Sequence, residues 1–372
     1  MTVTPFVTVT FDADIFKMIE LKGLAIGIGS LPHKDAEEAL DLIFKYVPNV
    51  PFWPQLPKRD TREGMVEQFS EGLPCVKVTE QGVLFNPEQK ENELEVFYEK
   101  IIEEDIDYFK ISPDFSRGLY AFYQRLKKVD LKSIEFIKCQ ITGPFTFGAS
   151  INNESGRALL HDPVFMQAII NTLKMKALWQ VELFKEFNKK IILFIDEPYL
   201  SSFGSAYAPI NRENVVKGLT ELAEGIKPKG VLIGVHCCGN TDWSMLIDIG
   251  AVDIINFDAF NFFDKFILYV DNLKTFLNRG GIICWGIVPT QEFTGNETAE
   301  ILLKKISFCI DILVKKGVDK VKLSEQLFIS PACGLGSLDP EKSEKILKLL
   351  SEISLLLRYP ARRRSGISDS ND

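Results

Sequence analysis

Residues with metal-ligand chemistry gather late in the chain, in His236-Cys237-Cys238, Asp258 and Cys333. With only 3 His and 7 Cys in 372 residues, a His-x-Cys pair is seldom met by chance, and its surroundings add weight. Val231-Leu232-Ile233-Gly234-Val235 is a short apolar run that passes directly into His236 and Cys238 and then into Gly239-Asn240, the pattern of a buried strand ending in a loop. Side chains alternate along a strand, so His236 and Cys238 share one face and Cys237 takes the other. Imidazole nitrogen and thiolate sulfur are donors that zinc prefers, and a catalytic zinc keeps one position open for substrate. Clustered Cys-x-x-Cys knuckles, which would mark a closed structural site, do not occur. The set therefore reads as one catalytic zinc site. Cys75, Cys139, Cys284 and Cys309 read as small buried hydrophobes instead.

Such ligands, scattered over a hundred positions, need a scaffold that brings them to one point. Short apolar runs alternate with longer amphipathic stretches, the signature of βα repetition and a parallel sheet. Strands are expected at 24–30, 49–54, 134–142, 190–196, 230–237, 252–258, 281–287 and 326–330. Eight βα units predict an α/β fold of the (β/α)8 TIM barrel type, with its chemistry at the C-terminal ends of the strands. Gly29-Ser30, Gln55, Thr142-Gly143-Pro144, Asp196-Glu197-Pro198, His236, Cys238, Asp258 and Cys333 all fall at such ends. Asp35 and Asp162-Pro163 read as helix starts. Residues 74–87 predict a small β-hairpin inserted between strands two and three, turning at Glu80-Gln81-Gly82. The expected organisation is an N-terminal extension at 1–20, one catalytic barrel at 21–358 and a disordered tail at 359–372.

Composition narrows the partners. The chain is 46% hydrophobic and 25% charged, an ordinary globular balance. A net charge of -8 argues against nucleic acid held on a broad basic face. No apolar stretch is long enough to span a bilayer, and Met1 to Glu20 lacks the pattern of a secretory signal. Seven cysteines without framework spacing fit a reducing, cytoplasmic setting, with no membrane partner.

From about Leu24 to about Leu350 the chain resembles the catalytic domain of cobalamin-independent methionine synthase. The wider superfamily also holds uroporphyrinogen decarboxylase and the zinc-dependent coenzyme M methyltransferases. Ile28-Gly29-Ser30-Leu31-Pro32 is similar to the family's substrate loop, and Thr142-Gly143-Pro144 and Ile195-Asp196-Glu197-Pro198 are similarly placed. The resemblance implies that His236, Cys238 and the Cys333 of Pro331-Ala332-Cys333-Gly334-Leu335 bind zinc. It places Asp258 where the family has a glutamate ligand, and implies that Ile28, Gly29, Ser30, Gln55 and Asp196 bind the substrate, with Asp196 on its amino group. Glu197 is expected as a proton acceptor or a partner of the catalytic groups, or equally as a structural carboxylate at the strand end. The activity implied is methyl transfer to a small-molecule thiol, most directly homocysteine to give methionine.

Two departures bear on the methyl donor and the acceptor. The family's second barrel and its aromatic platform for folate lack counterparts here, with Ser150 near the position of the expected tryptophan, and Gln55-Leu56-Pro57 replaces a Glu-Pro pair. His236-Cys237-Cys238-Gly239-Asn240 also looks like the motif of the coenzyme M enzymes, so the expected donor is a methyl-corrinoid, free or on a corrinoid protein. The alternatives are corrinoid-to-coenzyme M transfer and a uroporphyrinogen decarboxylase-like activity. The latter wants basic residues by the first loop, where only Lys22 and Lys34 lie near.

Overall fold

The structure is a computed structural model that describes residues 22–205 and 210–359. The expected N-terminal extension and all but the first residue of the expected tail lie outside the described residues. Seven parallel strands form one curled sheet: β1 (Leu24–Ala25), β4 (Phe136–Thr142), β5 (Lys190–Asp196), β6 (Leu232–Cys237), β7 (Ile254–Phe257), β8 (Ile282–Val288) and β9 (Leu327–Pro331). Their order is β1-β9-β8-β7-β6-β5-β4, so from β4 to β9 each strand pairs with the next in sequence, and helices fill the connections. A separate antiparallel pair joins β2 (Val76–Thr79) to β3 (Gly82–Phe85).

The expected second strand, 49–54, is not a regular strand, and this corrects the reading of eight continuous strands. Pro51 and Pro54 interrupt it, and each lacks the N–H that a ladder needs. The segment still fills the gap between β1 and β4 through isolated parallel bridges, Phe52 to Lys138 and Ser30 to Gln55. Backbone bonds from Lys138 N to Pro51 O (3.0 Å), Gln55 N to Gly29 O (3.1 Å) and Leu31 N to Gln55 O (2.9 Å) secure it. Gly27 makes room, since a Cβ there would stand 2.1 Å from the Phe52 ring.

The apolar faces explain the layering. Leu24, Ile26, Val50, Phe136, Phe194 and Phe328 belong to a compact inner cluster enclosed by the sheet, and Val50 joins it from the irregular segment. The opposite faces of the strands pack on the surrounding helices. Asp35 caps the helix Ala36–Tyr46 by accepting from Glu37 N and Glu38 N, and Asp162 caps Pro163–Phe184 through Val164 N and Phe165 N. No helix among the described residues is long and apolar enough to cross a membrane.

Candidate metal centre and thiol site

Register places the site. Asp196 at the end of β5 pairs with His236 on β6, which pairs with Asn256 on β7, so the three stand in one row across the sheet. Cys238 follows the end of β6, and Cys333 lies two residues beyond β9. The ligand atoms of His236, Cys238 and Cys333 all lie within 4.8 Å of one another. That is a donor set of one nitrogen and two sulfurs, able to hold a metal and leave a position open. Cys237 points away, buried in the outer core with its thiol 3.6 Å from the Gly239 carbonyl.

Asn256 stands beside the cluster and is a residue that the sequence reading missed. His236 Nδ1 lies 2.5 Å from Asn256 Oδ1, while the Asn256 amide nitrogen donates to Cys284 O (3.0 Å) and Ser330 Oγ (2.8 Å). Those acceptors fix the amide so that its oxygen faces the histidine, which then carries a proton on Nδ1 and turns Nε2 towards Cys238 as the candidate ligand atom. The signal was a polar residue inside the apolar run Ile254-Ile255-Asn256-Phe257.

Electrostatics concentrate charge here. The hydrogen bond from Cys333 and the neighbouring His236 hold the Cys238 thiol well below its ordinary value, and the same contact pushes Cys333 up. For His236, burial acts downward, but the Cys238 hydrogen bond and the Asp196 charge outweigh it. Burial raises the Asp196 carboxyl, opposed by Lys138 and His236. Asp196 Oδ1 is buried and has no hydrogen-bond partner among the described residues.

These groups open into a cavity of about 280 Å³ that Ile28, Ser30, Gln55 and Gly334 also line. Leu335 N donates to Ser30 O (3.0 Å) and Gly336 N to Ser30 Oγ (3.2 Å), which ties the 28–30 loop to the Cys333 loop. Among the described residues the lining includes no Lys, Arg, Phe, Tyr or Trp. Trp53, Phe145 and Phe147 are buried in the core.

Two expected residues stand elsewhere. Asp258 does not join the ligand cluster; its Oδ1 accepts from Asn261 N (2.9 Å) and its Oδ2 from Asn261 Nδ2 (2.8 Å), so a local turn consumes both oxygens. Glu197 does not line the cavity. Its Oε1 accepts from Phe145 N (2.9 Å), and its Oε2 from Thr146 N (2.9 Å) and Thr146 Oγ1 (2.7 Å), at the start of the helix Pro144–Ser150. Gly143 admits it, since a Cβ there would stand 2.1 Å from the Glu197 carboxyl carbon. Burial pushes this carboxyl up to about 7 against those hydrogen bonds. Glu197→Gln is therefore expected to lower stability by about 1–3 kcal/mol while leaving kcat near that of the parent. Thermal unfolding beside steady-state kinetics checks this, and a large fall in kcat at unchanged stability would restore a catalytic role.

No family model and no curated protein matches the chain. Among solved structures it is similar to a B12-independent methionine synthase from Shewanella sp. W3-18-1, solved in complex with selenomethionine. The TM-score is 0.56 at 16% identity, covering 93% of this chain and 100% of that one. The likeness is one of fold. A D-psicose 3-epimerase structure also aligns, with a TM-score of 0.37 at 13% identity over 64% of this chain and 84% of that one, too low to carry an argument.

Proposed function

We propose that the chain is a zinc-dependent S-methyltransferase acting on a thiol, with homocysteine as acceptor and methionine as product, on a (β/α)8 barrel whose second stave is the proline-broken segment 49–55. The observation that carries this reading is the convergence of His236, Cys238 and Cys333 beside the Asp196 carboxylate, whose Oδ1 has no hydrogen-bond partner among the described residues, in one small cavity. A free thiol has a pKa of about 8.5, and zinc held by these three residues would supply the charge that keeps an acceptor thiol ionised at neutral pH. Asp196 would take the acceptor's ammonium group, and the 28–30 loop would orient its backbone. The acceptor sulfur then forms its bond to the methyl carbon as the donor–methyl bond breaks, with the bonding pair staying on the donor. Among the described residues no Lys or Arg lines the cavity to meet an anionic acceptor such as coenzyme M or a substrate with many carboxylates, which supports homocysteine over both.

The donor in this reading is a methyl-corrinoid. A pterin needs an aromatic face to stack on, and among the described residues no Phe, Tyr or Trp lines the cavity, while Ser150 spends its hydroxyl on the Thr146 carbonyl at 2.7 Å. Methyl-transfer assays should pair homocysteine and coenzyme M with methylcobalamin and methyl-folate. Turnover is expected with homocysteine and methylcobalamin. Methyl-folate turnover at or above the corrinoid rate would overturn the donor assignment, and no turnover on either thiol would overturn the activity.

A further inference from the structure

Two buried glutamines stand end to end behind the cavity wall. The Gln55 amide nitrogen donates to Gln68 Oε1 at 2.8 Å, and the Gln68 amide nitrogen donates to the Phe115 carbonyl at 2.8 Å. A backbone carbonyl can only accept, so Phe115 decides which end of Gln68 faces it. Gln68 must then present its oxygen to Gln55, and Gln55 must turn its nitrogen inward. The polarity of the relay runs one way and leaves the Gln55 carbonyl oxygen beside Gly29, where a glycine Cβ would stand 2.9 Å from it. Gln68 is fully buried, so water does not replace a lost partner. A second relay holds the same loop from below: Lys138, which can only donate, bonds the Ile28 carbonyl and Gln140 Oε1, and the Gln140 amide nitrogen donates to the Trp53 carbonyl at 2.9 Å.

We propose that Gln68 is a positioning residue that sets acceptor specificity. By locking the Gln55 amide, it makes the cavity present a neutral oxygen in addition to the Asp196 carboxylate, while the other lining carboxylate, Glu63, is held by Leu56 N and Arg59 Nε. That acceptor pair selects a thiol bearing a protonated amino group over one without it. With the lock removed, the Gln55 amide turns over and offers N–H groups, which oppose an ammonium group. The inference rests on the thiol-transferase reading.

The test is calorimetric binding of homocysteine and of its amine-free analogue 4-mercaptobutanoate to the zinc-loaded full chain. Gln68→Met removes the relay at similar volume, whereas Gln68→Glu, protonated when buried, keeps both a donor and an acceptor. The methionine variant is expected to bind homocysteine about tenfold more weakly and the analogue within about twofold of the parent. The glutamate variant is expected to restore the parent preference. Should the methionine variant fail to fold, Gln68→Asn, too short to span Gln55 and Phe115, carries the same expectation. An unchanged preference, or an equal loss for both ligands, overturns the proposal. If the parent holds zinc yet binds neither thiol, the transferase reading itself fails and takes the proposal with it, an outcome visible before any variant is made.

Discussion

Replacing Cys238 or Cys333 with serine is expected to strip the chain of zinc, from about one ion per molecule to under about a tenth, because a site with three protein ligands does not survive the loss of a thiolate. Cys237→Ser should keep its metal, since that thiol is buried on the opposite face against the Gly239 carbonyl. Asn256→Leu should weaken zinc affinity by about 10- to 100-fold without removing a ligand, because His236 loses the group that fixes its tautomer. Metal analysis of the purified proteins and a chelator competition give these numbers. Full zinc in both serine variants would mean that the three residues gather for another reason.

The sequence showed this centre because alternation along one strand is a local property: His236 and Cys238 two apart, then glycine, can be read without knowing the fold. Cys333 needed the order of motifs along the chain. Asp258, just past the end of β7, looks from sequence like a ligand, while the turn that engages it depends on Asn261, three residues further on. Glu197 could not be placed from sequence, since its partners at Phe145 and Thr146 lie about fifty residues earlier and meet it only through the pairing of β4 and β5. The broken second strand was legible in principle. Pro51 and Pro54 are poor ladder residues, and the apolar character of Val50, Phe52 and Trp53 obscured that signal.

Asp196→Asn is the second change with a large expected effect, lowering affinity for homocysteine by about 10- to 100-fold through loss of a buried charge–charge contact. Zinc content should stay at the parent level, because Asp196 is not among the clustered ligands. Binding measured for homocysteine and for 4-mercaptobutanoate separates the contributions, since only the former carries an ammonium group. Equal homocysteine affinity in parent and variant would remove Asp196 from acceptor recognition and favour a thiol without an amino group. The unpartnered Oδ1 argues for the larger end of the range, since a buried carboxylate oxygen with no protein donor gains most from a cation.

The tie between the end of β6 and the loop after β9 has a bearing on the chain as a polymer. Cys238 and Cys333 lie about a hundred residues apart, and on the proposed reading one ion fastens them, closing a long loop much as a covalent cross-link would. The unfolded chain loses conformational freedom wherever it keeps that ion, and the folded chain gains the whole binding free energy wherever the unfolded one cannot hold it. The centre that would prepare the thiol is in this sense also a fastener between the two halves of the sheet, and zinc supply would set the durability of the fold together with its activity.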